Sequence, residues 1–179
     1  MSATSTTNET EAAGGCTPDG GCIVTDTTHA RMAHPALVVA GAMPALQAVA
    51  AAIHDSGLSE RTIELVNLRV SQINGCGSCL LGHAHIAKKN GETDDRIAVV
   101  AGWRDAPLFT KAERAALALA EAVTRLSDRS DPVSDDVWDE AARHYDEPAL
   151  GALVLAIANI NVWNRLNVTT RQVAATSEW

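Results

Sequence analysis

The chain is short of positive charge, of long apolar runs and of strand-like alternation, and each shortage removes a class of protein. With 14 Lys and Arg against 22 Asp and Glu it carries a formal charge of -8. Nucleic-acid binders present a basic patch or stripe to phosphate, so no nucleic-acid partner is expected. The longest apolar run, residues 149–158, falls well short of the roughly 18 residues that suggest a membrane span. No membrane partner is expected either. The first residues, MSATSTTNETEAAGG, have neither the basic nor the apolar region of a secretory signal, which predicts a cytoplasmic protein. In that reducing compartment four cysteines are poor candidates for structural staples, and a CxxC reads first as redox-active or metal-binding.

At 179 residues and 46% hydrophobic content the chain can bury one sizeable core. Residues 1–28 are rich in Ser, Thr, Gly and Ala without hydrophobic period, which predicts a flexible tail ahead of a single domain over 29–179. Within that tail, CTPDGGC sets Cys16 and Cys22 on either side of a turn. Two free thiols in a loop is the plain reading, and a disulfide or a ligand pair the alternative.

From His29 onward the periodicity is helical and no segment alternates with a period of two, which predicts an all-α fold without a β-sheet. A short helix precedes a longer one from Pro44 to Gly57. The next begins after Ser59 and buries a stripe of Ile63, Val66, Val70 and Ile73. Asn74-Gly75 is a turn dipeptide, and a further helix is expected from Cys76 to Lys89, stopping at Asn90-Gly91. Thr93 caps a short helix, and Thr110 with Glu113 forms a capping box for another. A strongly acidic segment around SDDVWDEAARHYDE reads as a helix with a solvated face. The last helix, PALGALVLAIANINVWNRLN, is apolar on nearly every side until Asn159, as expected of the core's central helix or of a subunit interface.

The densest reactive chemistry lies in NGCGSCLLGHAH, residues 74–85. Cys76 and Cys79 are three apart and His83 four further on, so the three share one stripe of a helix. Thiols in a first turn meet free N–H groups and the positive end of the helix dipole, which lowers their pKa. CxxC geometry there also lets the sulfurs close a disulfide with little backbone movement. His83 is placed to take the proton of Cys79, directly or through one water, and Glu64 on the preceding helix is the candidate to orient it.

Glu64, eleven residues, Cys76, two residues, Cys79, three residues and His83 resemble the E-x11-C-x2-C-x3-H signature of the alkylhydroperoxidase D-like (AhpD-like) branch of the carboxymuconolactone decarboxylase family. The stretches LRVSQINGCGSC and NVWNRL are similar to the same branch, and the likeness extends over roughly residues 33–168. The resemblance implies an all-helical fold, a homo-oligomer (a trimer or a dimer of trimers) and thiol-dependent peroxidase or disulfide-reductase activity. It implies that Cys79 attacks a hydroperoxide and passes through a sulfenic acid, that Cys76 resolves it, and that Glu64 and His83 relay the proton. A lipoyl-type dithiol or a redox protein would restore the thiols, and no cofactor is implied. Where the best-described members carry a second histidine, just before the attacking cysteine, this chain has Ser78. The relay is then one member short, which implies weaker peroxide turnover.

Other readings fit less well. His83 and His85 point roughly 200° apart around a helix, so a zinc site would need a ligand from elsewhere, such as the tail cysteines. No metal ligand is therefore assigned. Leu80 follows the second cysteine, which closes the c-type haem option, and no strands flank the CxxC as a thioredoxin-like domain requires. A decarboxylase-type lyase of the same fold remains the functional alternative, beside a helical oligomer with inert cysteines. His29, His34, His54, His85 and His144 read as surface or capping residues, and Trp103, Trp138, Trp163 and Trp179 as packing residues. Trp163, Asn164 and Arg165 either line a cleft or close the last helix.

Overall fold

The computed structural model describes residues 15–16, 22–23, 29–127 and 129–174. Most of the expected tail, residues 1–28, and Trp179 lie outside them. The described part of the tail is a two-residue antiparallel ladder, β1 (Gly15–Cys16) with β2 (Cys22–Ile23), in which Cys16 stands opposite Cys22. From His29 onward the described residues are helical, with no strand.

Among the described residues eight α-helices follow: α1 (Pro35–Val38), α2 (Ala42–His54), α3 (Glu60–Asn74), α4 (Gly77–Lys89), α5 (Asp94–Val99), α6 (Lys111–Thr124), α7 (Asp135–His144) and α8 (Glu147–Thr170). A single 3-10 turn, Val100–Gly102, extends α5. The start signals at Thr93 and Thr110 act as expected, whereas Ser59 stands at the N-cap of α3 without a side-chain cap bond. Thr93 accepts from Arg96 N, and the capping box is complete: Thr110 Oγ1 accepts from Glu113 N at 3.2 Å while Glu113 Oε2 accepts from Thr110 N at 2.7 Å. Helix α8 begins one residue before Pro148, because Asp146 caps it by accepting from Ala149 N. Helix α2 begins two residues before Pro44, which needs no N–H in a first turn.

Helix α3 is the enclosed element, packed against α4, α6 and α8. Ile63, Val66 and Val70 join Leu153, Ile157 and Ile160 of α8 and Leu119 of α6 in one core cluster. Leu65 and Leu68, on the other side of the helix, join Val100, Trp103, Phe109 and Leu117 in a second. A single apolar stripe was expected; burial instead runs almost unbroken from Thr62 to Ser71. Any polar group on that stretch must therefore find a partner inside the protein.

Helix α8 is long and apolar enough to cross a membrane by length and composition, with 44% of its apolar window buried inside the protein. It packs on α2, α3 and α6 with one side and leaves Leu155 and Val162 exposed on the other. The expected central role thus belongs to α3. The acidic α7 is mostly solvated and buries only Ala141. Trp103 is buried as expected, whereas Trp138 stands out in solvent at 43% exposure.

Candidate active site

The turn between α3 and α4 sets the cysteines. Gly75 closes α3 at φ 68°, a left-handed conformation that costs a glycine nothing. The chain then enters α4 with Cys76 as N-cap, its Sγ accepting from Cys79 N at 3.3 Å. Cys76 and Cys79 form a disulfide with their Cα atoms 5.4 Å apart, inside the ordinary span of such a bond.

An amide cluster on α8 clamps this turn. Asn74 Nδ2 donates to Asn161 Oδ1 and to Asn164 Oδ1, each at 2.9 Å. Asn164 Nδ2 donates onward to Ser71 Oγ at 3.0 Å, and Arg165 Nη1 to Asn161 Oδ1 at 2.8 Å. Asn164 and Arg165 therefore hold the turn, while their neighbour Trp163 lines the cavity beside the cysteines.

Glu64 is 1% exposed. Its Oε2 lies 2.8 Å from His83 Nδ1, and its Oε1 accepts from Asn67 Nδ2 at 3.3 Å. A carboxylate only accepts, so Nδ1 carries the proton and Nε2 of the neutral ring keeps its lone pair for a reacting group. Asn67 Nδ2 is also 3.4 Å from Nδ1, a contact between two N–H groups in this tautomer.

Glu64, Asn67, Cys79 and His83 face one cavity of about 460 Å³, walled by apolar side chains including Ile53, Ile63, Ile160 and Trp163. Of the two cysteines, Cys79 lines the cavity, and Cys76, 2% exposed, does not. Asn167 Nδ2, from α8, donates to Cys79 Sγ at 3.2 Å. Ser78 borders the same space, and its hydroxyl donates to Val173 O at 3.2 Å, tying down the segment that follows α8. The four residues expected from the sequence are thus gathered in one place.

Two amides were not anticipated. Asn67 had a signal, three residues beyond Glu64 on the same helix; Asn167 had none, being 88 residues from the cysteine it touches. Among the histidines, His85 is exposed and His144 pairs with Glu140, as surface residues do. His34 does cap α1, accepting from Ala36 N at 3.2 Å, but it and His54 also line the cavity. Among the described residues no group of three or more His, Cys, Asp or Glu side chains is placed to hold a metal ion.

A helical domain with a CxxC disulfide at a helix start, backed by a buried carboxylate and imidazole, is the architecture of an AhpD-like protein. The chain belongs to the carboxymuconolactone decarboxylase family, whose model matches residues 39–122. It is 38% identical over 120 residues to YdfG of Bacillus subtilis (strain 168), an uncharacterized protein, which covers 67% of this chain and 80% of that one. The crystal structure of ATU0492 from Agrobacterium tumefaciens, a protein of unknown function for which an antioxidant-defence role as AhpD has been suggested, superposes with a TM-score of 0.77. That pair is 30% identical and covers 83% of this chain and 100% of the other. The debrominase Bmp8 shares the fold at a TM-score of 0.65 and 23% identity, over 74% of this chain and 70% of its own.

Proposed function

We propose that the protein is a thiol-dependent peroxidase and disulfide oxidoreductase that reduces hydroperoxides. The observation that carries this reading is the shared cavity wall: Cys79 and His83 line one cavity, and the imidazole Nδ1–H of His83 is held by buried Glu64. In the reduced protein His83 Nε2 takes the Cys79 proton, and the thiolate attacks the terminal peroxide oxygen. The O–O bond breaks, the alkoxide takes a proton and leaves as alcohol, and Cys79 becomes a sulfenic acid. Cys76 attacks that sulfur, water leaves, and the disulfide forms. A lipoyl-type dithiol, or the dithiol of a redox protein, returns two electrons by thiol–disulfide exchange.

The N-cap position of Cys76 supports the second step, because N–H groups at a helix start stabilise a thiolate. Exposure of Leu37, Val38 and Val39 at 59–70% supports self-association of the chain, and the trimer or dimer of trimers is what the family resemblance implies. The test is stopped-flow consumption of thiols by cumene hydroperoxide, with the disulfide located by mass spectrometry. A Cys76–Cys79 bond should form quickly in the native chain and not in Cys79→Ser. Undiminished peroxide reduction by Cys79→Ser would remove the reading. Decarboxylation of a lactone acid that survives Cys79→Ser would put the lyase chemistry of the family in its place.

A further inference from the structure

A second cavity, of about 330 Å³, lies beside α6 and the segment leading into α7, and it shares no lining residue with the redox cavity. Its charged lining is Arg104, Glu121, Arg125, Arg129 and Asp131. Glu121 is its organising group, with a side chain only 8% exposed. Oε1 accepts from Arg69 Nε at 2.7 Å and Trp103 Nε1 at 2.9 Å; Oε2 accepts from Arg104 Nη1 at 2.9 Å and Arg125 Nη1 at 3.2 Å. Four donors saturate the carboxylate. Burial would push its pKa up, but the bonds from Trp103, Arg104 and Arg69 outweigh this and hold it at about 2. It is a fixed negative charge at neutral pH.

One carboxylate cannot neutralise three guanidiniums. Arg104 spends one N–H on Glu121 and lies 4.2 Å over the Trp103 ring, which holds its plane in position. Arg125 likewise makes one bond to Glu121, with a side chain 41% exposed. Arg129 makes no hydrogen bond or ion pair with a described residue. Each guanidinium has five N–H donors in a planar fork, so among the described residues most of those on Arg104, Arg125 and Arg129 meet no acceptor. Asp131 offsets part of the surplus. On a chain of net charge -8, this is a local inversion of sign within a concave site.

We propose that this cavity binds a small oxyanion with two negative charges, of the phosphate type, with Arg104, Arg125 and Arg129 as its donors. Paired N–H groups match the oxygen spacing of such an anion, and the concave volume admits either free phosphate or a small phosphate monoester. An acidic segment of a second copy would answer the same charge, but a concave site suits a compact ligand better.

The test is calorimetric titration of the full chain with inorganic phosphate and with glycerol phosphate, against sodium chloride at equal ionic strength. Saturable binding of either is expected, weakened roughly tenfold or more in Arg125→Gln/Arg129→Gln, a change of about 1.4 kcal/mol or more. Tighter binding of the ester identifies a phosphorylated metabolite as the ligand, and equal binding identifies free phosphate. Thiol oxidation by peroxide should be unchanged in the variant, which separates this site from the redox reading. Three results would overturn the proposal: no heat beyond that of chloride, equal binding in native and variant protein (an adventitious ion only), or self-association that Arg129→Gln abolishes without any phosphate binding.

Discussion

Glu64 Oε2 and His83 Nδ1, on neighbouring helices, lie 2.8 Å apart, with the carboxylate side chain 2% exposed and the imidazole 21%. The buried acceptor decides which ring nitrogen keeps its proton, and so which one is free to act as base. Glu64→Gln should retain the fold but lose the charge that stabilises the imidazolium. The rate of thiol oxidation by peroxide is expected to fall roughly 100-fold, the usual scale of one general base. His83→Ala should fall as far, and the double variant no further than the worse single one, because the pair acts as a unit. Stopped-flow kinetics on the three proteins checks this.

Cys76 is removed from the cavity that Cys79 borders, which separates attack from resolution. Cys76→Ser should react once with peroxide and then stop as the Cys79 sulfenic acid. A dione reagent should label that protein in the mass spectrum and leave the native protein unlabelled.

Asn164 is fully buried and bridges Asn74 to Ser71. Asn164→Ala takes the bond from Ser71 and leaves Asn74 with Asn161 alone, for a loss of about 1–3 kcal/mol in urea unfolding. Because the bridge seats the turn ahead of Cys76, disulfide formation should slow as well.

Ser78 Oγ tethers Val173 across the redox cavity. Ser78→Ala should cost about 1 kcal/mol and speed amide exchange in residues 171–174, with α3 and α4 unaffected. Equal exchange in both proteins would show that the tether contributes nothing to order there.

Glu121 provides an acid-sensitive element of stability. Its folded pKa of about 2 lies below the ordinary 4.5, so its contribution is full above pH 4.5 and is lost as the pH falls from there toward 2. Glu121→Gln should be less stable at neutral pH and show a flatter decline over that acid range, measured by thermal unfolding.

The local geometry was legible because it depends on neighbours along the chain. Spacing on a helix put Cys76, Cys79 and His83 on one stripe, Asn74-Gly75 announced the turn, and Thr110 with Glu113 marked the start of α6. Most of what surrounds that stripe was not. That α3 is enclosed by α4, α6 and α8, leaving Glu64 inside rather than on an exposed helix face, follows from packing among distant segments. Asn167, the Asn161–Asn164 clamp on Asn74 and the approach of Arg69 and Arg104 to Glu121 are also pairings between distant elements, and no local period encodes them. NGCGSCLLGHAH by itself determined that two thiols and an imidazole share a helix face. The tertiary structure decided which sulfur meets the cavity and which carboxylate holds the imidazole, because burial and hydrogen-bond partners are settled only when the helices pack.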